Sequence, residues 1–272
     1  MSGVEMSSSV LEMEDVAVAA APAPDVVLLE GVNWTVRAGE YWVVGGLPGT
    51  GKTSLLLTAA GLLHLVRGSH RLFGQNTAAW GEEDGVLERL RVGLVFADEG
   101  RLFNQLSVAE NLALPICYHR NCLAAEAQEQ VQAVLEITGL SALAHSKPGS
   151  IHRTFRPRVA LARALVLQPE LLLLDDPLRG MDSRQTRWWL EFLSRLSAGH
   201  EWLNRRPVTL VVVTDDLRPW LEHGRNFALL DERRWIALGG PAALGAGGPA
   251  ALRELLADGM ARAFESLWGT PA

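Results

Sequence analysis

The run of apolar and polar positions divides the chain into strands and helices that alternate along most of its length. Residues 10–18 read as a first strand, broken by the Ala-Pro run over 19–24. Over 26–36 a second strand is marked by Val32, Trp34 and Val36 alternating with Asn33, Thr35 and Arg37, the period of a half-buried sheet face. A turn at 37–40 leads into a short apolar strand, 41–44, and then a glycine-rich segment. Leucines at helical spacing predict a helix over 54–66, interrupted by Gly61. Residues 70–73 read as an edge strand, 85–91 as a short helix and 92–96 as a compact apolar strand that opens onto a polar turn at 97–100. Ser107-Val-Ala-Glu110 is a capping-box pattern and predicts a helix start. A second helix over 124–139 ends at Gly139, and a third over 158–167 stops before Pro169. The apolar run 171–174 is a buried strand ending in Asp175 and Asp176. Beyond it, 188–196 is helical, 208–214 is a buried strand, 227–230 and 235–238 form a hairpin, and 250–268 is a partly amphipathic helix.

Buried strands separated by helices predict an α/β fold with a mostly parallel sheet. The two strands before residue 37 add an N-terminal antiparallel β subdomain, and the all-helical stretch between two core strands is an inserted lobe. The expected organisation is one domain over 10–272: a core at about 10–96 and 166–248, a helical lobe at about 97–165 and a helical tail at about 249–272. The Ser-rich start, 1–9, reads as disordered.

Gly46, Gly51, Lys52 and Thr53 satisfy the spacing G-x-x-x-x-G-K-[ST] between a strand and a helix, which defines the core as a P-loop NTPase type. Glycines let successive backbone N–H groups point at one phosphate, and the helix that follows presents its positive end to the same anion. Gly46, Leu47, Pro48, Gly49, Thr50, Gly51, Lys52, Thr53 and Ser54 are therefore the candidate nucleotide-binding residues. Lys52 reaches the β- and γ-phosphates and the Thr53 hydroxyl is a candidate Mg2+ ligand. The second metal candidate is Asp175, at the end of its apolar strand. ATP and Mg2+ are the expected cofactors.

Bulk composition narrows the setting. A net charge of −6 and a pI near 5.7 argue against a nucleic-acid partner. Cys117 and Cys122, the only cysteines of the 272 residues, are read as reduced thiols. No apolar run has the roughly 18 residues needed to cross a bilayer. The acidic start is not a signal peptide, so a cytoplasmic place is expected, with any membrane connection made through a partner. Nine tryptophans identify nothing by themselves.

The segments Arg158-Val-Ala-Leu-Ala-Arg-Ala-Leu165 and Gln168-Pro-Glu-Leu-Leu-Leu-Leu-Asp-Asp-Pro177 resemble the ATP-binding subunits of ABC transporters. The resemblance runs from Val10 to about Leu256, and Asp182 falls on the aspartate of the family's D-loop. Arg101-Leu-Phe, Ser107-Val-Ala-Glu-Asn-Leu112 and Gly240-Pro-Ala-Ala-Leu244 look most like the ATPase of Mla-type phospholipid-trafficking systems. The resemblance implies a homodimer or heterodimer of ATP-binding subunits docked on membrane permease subunits at the inner face of the cell membrane, with Ala97 to Phe103 beside the docking groove.

Departures from the family are as informative. The adenine-stacking aromatic falls near Ala20, with no aromatic between Val10 and Asn33. The Q-loop glutamine falls on Ala97, the LSGGQ signature on Ile151-His-Arg-Thr-Phe155, the catalytic glutamate on Asp176 and the switch histidine on Asp215. Asp176 is one methylene shorter than glutamate, which withdraws its carboxylate by about 1.5 Å, and a misplacement of about 1 Å costs roughly 10²-fold in rate. An ionised Asp215 cannot donate to a γ-phosphate and repels it. Pro157 belongs in a first helical turn, so the helix after the signature is expected to start late, capped by Thr154. Arg153 and Arg156 offer full charges where the signature glycines are missing. Three functions follow: a slow transport ATPase, a nucleotide-binding subunit that hydrolyses little or nothing, and a soluble scaffold of the same type.

Overall fold

Strands buried on both faces need no alternation in sequence, because every position packs against something. That condition governs the centre of this fold. The computed structural model describes residues 9–21, 23–80, 85–97, 101–244 and 249–257. In chain order the elements are β1 (Ser9–Ala20), β2 (Ala23–Arg37), β3 (Tyr41–Gly46), α1 (Lys52–Ala59), β4 (Arg67–Leu72), β5 (Gln75–Asn76), α2 (Val86–Leu90) and β6 (Val92–Val95). They continue as α3 (Val108–Arg120), α4 (Gln128–Ile137), α5 (Arg156–Leu165), β7 (Leu171–Asp175), α6 (Ser183–Ala198), β8 (Thr209–Thr214), β9 (Asn226–Asp231), β10 (Arg234–Gly239) and α7 (Ala250–Leu256).

All ten strands form one mixed sheet in the order β5-β4-β1-β2-β10-β9-β3-β8-β7-β6. The first four are antiparallel, whereas β9, β3, β8, β7 and β6 run parallel. Between the two halves, β10 is antiparallel to β9 and meets β2 through the register pair Arg234–Glu30. Trp34, Trp42 and Trp235 pack across that junction, with ring centroids 4.8 to 6.3 Å apart. β7 and β8 divide their side chains between two cores. Leu172, Leu174, Leu210 and Val212 face the side covered by α3, α4, α5 and α6, while Leu171, Leu173, Val211 and Val213 face α1 and the antiparallel strands. With both faces apolar and buried, the register of β7 and β8 is set by their pairing with β6 and β3 on either side rather than by alternation.

Most predicted elements are present, and the alternation in β2 holds, with Val32, Trp34 and Val36 buried. Five expectations need correction. The helix predicted over 54–66 is α1, which starts at Lys52 and stops at Ala59; Ala60 caps it and Gly61 leaves the helix at φ 67. The predicted edge strand at 70–73 is β4, paired on both sides, so the edge is the two-residue β5. The helix predicted over 124–139 occupies only Gln128–Ile137. Thr154 is not a helix cap: it lies in a 3-10 turn, Arg153–Phe155, capped by His152, and α5 follows directly with Pro157 in its first turn. The tail helix is described over Ala250–Leu256; the rest of that prediction, the 1–8 terminus and most of the 97–100 turn lie outside the described residues. As predicted, α3 opens with the full capping box of Ser107 and Glu110.

What matters for the site is direction. β3, β7 and β8 are neighbours in parallel, so the loops leaving their carboxyl ends converge on one edge of the sheet, where ligands bind in open α/β sheets.

Candidate functional site

At that edge a cavity of about 360 Å³ opens between the loop after β3, the end of β7, the residue after β8 and the segment after β6. Gly51 sits at φ 93, a conformation that favours glycine, and a Cβ there would meet Leu28 at 3.1 Å. The loop thus closes against β2 and turns straight into α1. Pro48, Gly49, Gly51, Lys52, Thr53 and Ser54 line the cavity. Gly46, Leu47 and Thr50 do not; they hold the loop in shape. The Thr50 hydroxyl donates to the Leu47 carbonyl at 2.8 Å, and Lys52 Nζ donates to the Gly46 and Leu47 carbonyls at 2.5 and 3.0 Å. Ser54 Oγ accepts from the Ala21 N–H at 3.3 Å and so fastens the tip of the β1–β2 hairpin to α1.

The opposite wall carries the charge. The Thr53 hydroxyl donates to Asp175 Oδ2 at 2.7 Å, bringing the two metal candidates together. Asp176 follows at φ 44; its N–H donates to the Val213 carbonyl at 2.8 Å and its Oδ1 accepts from the Thr214 hydroxyl at 3.2 Å. Burial, then the charge of Asp215, lifts the Asp176 carboxyl to about 6, against weaker pulls from Thr214, Lys52 and Arg179. Burial lowers the Lys52 ammonium from its usual range, and the three aspartates of the wall oppose that. Asp215 lines the same cavity, so both catalytic candidates face Lys52.

Four wall residues escaped the sequence reading as parts of the site: Leu28, Phe96, Arg101 and Arg179. The Arg101 guanidinium lies 3.9 Å from the Phe96 ring, while its backbone carbonyl accepts from Arg163 at 3.1 Å. Asn111, fully buried on α3, secures the same segment by bonding both the N–H and the C=O of Phe103. Asn111 was legible only as part of a helix after a capping box. On the hairpin side the wall is Leu28, an aliphatic side chain.

The segment expected at the signature position, 151–155, stays apart from the cavity. Ile151 is buried, His152 caps the turn, and neither Arg153 nor Arg156 lines the cavity. Behind it, the buried Arg158 donates to Gln185 at 2.5 Å and stacks on Trp188 at 3.6 Å; burial, then Arg184, lowers it to about 10. The Gln185 N–H donates in turn to Asp182, the cap of α6, at 2.8 Å.

A phosphate loop after β3 and a carboxylate at the end of β7, with β8 between the two strands, frame the site, and the chain matches the ABC transporter family over residues 29–179. The chain belongs to the ABC transporter family. Within it, the chain is of the ATP-binding type. It is 34% identical over 193 residues to the lipoprotein-releasing system ATP-binding protein LolD of Chromohalobacter salexigens, covering 71% of this chain and 78% of that protein. It is 28% identical over 256 residues to the intermembrane phospholipid transport system ATP-binding protein MlaF of Escherichia coli, covering 94% and 92%. The sulfate/thiosulfate import ATP-binding protein CysA of Methylococcus capsulatus is 36% identical over 206 residues, 75% of this chain but 56% of that protein. Among solved structures, the ABC-type cassette MJ0796, a dimer with ADP and Pi, superposes with a TM-score of 0.73 at 24% identity, covering 85% of this chain and 99% of that one. CbiO1 of Clostridium perfringens gives 0.74 at 22%, with 96% of each chain covered. At those identities the likeness speaks for the fold. Among the described residues no helix is long and apolar enough to cross a membrane.

Proposed function

We propose that this chain binds Mg-ATP as the nucleotide-binding subunit of an ABC transport system and turns it over slowly. The observation that carries the proposal is the 2.7 Å contact between Thr53 and Asp175 beside Lys52. A hydroxyl and a carboxylate held together, facing an ammonium on a phosphate loop, are a hard-oxygen donor set for a magnesium nucleotide. In this reading residues 46–54 would hold the phosphates and Thr53 and Asp175 would hold Mg2+, which would supply positive charge beside them. Asp176 and Asp215 stand at the reacting end. Asp176, with its carboxyl near 6, is ionised at neutral pH and basic enough to accept a proton from water. Its short reach and the charge of Asp215 keep the rate low.

The same two aspartates support a second reading, a nucleotide-binding subunit with no useful hydrolysis. A heterodimer with an intact partner would lose one site to Asp176 and Asp215 and the other to the signature; a homodimer would carry every lesion twice. Dimerisation is supported by the likeness to a dimeric cassette, and docking on permease subunits at the inner face of the membrane by the likeness to CbiO1, described as part of the complex cbiONQ. The half-exposed Phe103, beside the cavity wall, supports a docking groove near Ala97. A lipid cargo is supported by the near full-length match to MlaF, although cargo choice would rest with the membrane partners. The division into core, helical lobe at about 97–165 and tail belongs to the same proposal.

The test is nucleotide binding and steady-state turnover on the purified chain, with Lys52→Ala as control. Binding with turnover far below that of an intact relative is expected. Ordinary turnover that vanishes in Lys52→Ala would overturn the slow-enzyme reading, and no nucleotide binding would overturn the whole.

A further inference from the structure

The cavity is short of positive charge where a triphosphate would need it most. Asp175, Asp176 and Asp215 face it from β7 and β8, and Lys52 answers from the phosphate loop. A terminal phosphate beside the aspartates would meet three carboxylates against the one ammonium, the Arg101 guanidinium lying across the cavity over Phe96, and Mg2+ would be held at Thr53 and Asp175. The side chain facing it from the end of β8, Asp215, is a carboxylate and has no hydrogen to donate to a phosphate.

The chain brings a further cation to this end by a different route. After β7, Asp176 at φ 44 reverses the backbone, and the Arg179 N–H closes a turn on the Asp176 carbonyl at 3.1 Å. Met181 closes a second turn on Leu178 at 3.1 Å, with Gly180 at φ 69. Pro177 is buried and Leu178 packs against the core, so this double turn is anchored from below. Arg179 stands on its crest and lines the cavity with Lys52, Asp176 and Asp215. Its charge is felt at both ends of that wall: it pushes the Lys52 ammonium down and holds the Asp176 carboxyl back from a higher value.

Resting on the reading that the cavity holds a nucleoside triphosphate, we propose that Arg179 binds the terminal phosphate and lets this chain tell a triphosphate from a diphosphate. The guanidinium is permanently charged and presents a planar fork of donors that fits two phosphate oxygens at once. It supplies from the β7 side the hydrogen bonds that Asp215 cannot give from the β8 side. A diphosphate has no group at this end and gains nothing from Arg179.

Calorimetric titration of the purified full chain with ATP and with ADP, in Mg2+ at fixed ionic strength, tests this on wild type, Arg179→Ala and Arg179→Lys. The expected result for Arg179→Ala is ATP binding weakened ~10- to 100-fold, the range for a hydrogen bond between charged groups, with ADP affinity kept within about threefold. Arg179→Lys should recover part of the loss, since it restores charge without the fork. The proposal is overturned if ATP and ADP weaken together or if neither changes. Failure of the wild type to bind either nucleotide is a separate result, which would overturn the nucleotide reading and this inference with it. Arg179 is exposed, so its substitution should leave the melting temperature within about 2 °C, as for other surface changes.

Discussion

Replacing Asp176 with asparagine should stabilise the nucleotide-free chain, and by an amount that grows with pH. The side chain is buried beside Asp215, and its carboxyl is raised from 3.8 to about 6. A carboxyl raised on folding binds its proton more tightly in the native state, so stability falls as pH rises from the unfolded value to the folded one and is flat above it. At 1.36 kcal/mol per pKa unit, the full cost of ionising Asp176 is about 3 kcal/mol. About half is already present at pH 5, which leaves ~1.4 kcal/mol to develop between pH 5 and pH 8. Asparagine carries no charge and its Oδ1 can still accept from Thr214. The assay is thermal unfolding of both proteins, without nucleotide or metal, at pH 5 and pH 8. For a chain of this size 1 kcal/mol corresponds to ~2–4 °C, so the gap between variant and wild type should widen by about 3–6 °C from the lower pH to the higher. All other titrating groups are shared, so the change in the gap isolates this one. A gap that stays constant, or narrows, refutes the argument that burial and Asp215 hold this carboxyl up.

Restoring the family's groups should accelerate turnover: Asp176→Glu with Asp215→His is expected to raise the steady-state ATPase rate by ~10²-fold, the scale of correcting a misplaced group, and an unchanged rate would show that the lesions lie elsewhere. Thr53→Ala should weaken ATP binding in Mg2+ by about tenfold while binding in EDTA stays the same, because the hydroxyl is assigned to the metal; equal loss in both would count against that assignment. Lys52→Ala should weaken ATP binding by ~10- to 100-fold at neutral pH, read by the same titration. Arg153→Ala with Arg156→Ala should reduce nucleotide-driven dimerisation, measured by light scattering with and without ATP, if these charges stand in for the signature glycines across the dimer.

Much of the centre of the fold is legible because its signals are local and redundant. β7 and β8 are uninterrupted apolar runs, the phosphate loop has fixed spacing, and Ser107 with Glu110 announces α3 directly. Where prediction went astray, tertiary contacts decided the matter. Leucines continue past α1, yet Leu62 and Val66 are more than half exposed, and the chain leaves the helix at Gly61, whose φ of 67 favours glycine and where a Cβ would meet Trp80 at 2.9 Å. β4 is written with polar residues and exists because β1 and β5 pair with it. His152 caps the turn before α5 because its ring accepts the Thr154 N–H, and nothing about that is visible in composition. In the site, Thr53, Asp175 and Asp176 are legible as candidates because they adjoin the phosphate-loop lysine or end an apolar strand. Phe96 and Arg101 follow β6 while Arg179 follows β7, far along the chain, and only the parallel pairing of those two strands brings them together.

The junction between the two halves of the sheet has a consequence of its own. Few main-chain bonds cross it, since β10 meets β2 at Arg234 and Glu30, and the Glu30 N–H reaches the Arg233 carbonyl at 3.0 Å. Leu28 stands on one half and Lys52 on the other, so whatever fills the cavity straddles the junction. The indoles of Trp34, Trp42 and Trp235 lie along that line in mutual contact. Three contacting fluorophores thus sit where the two halves meet, and a change in their packing would alter the protein's own emission, with no dye attached.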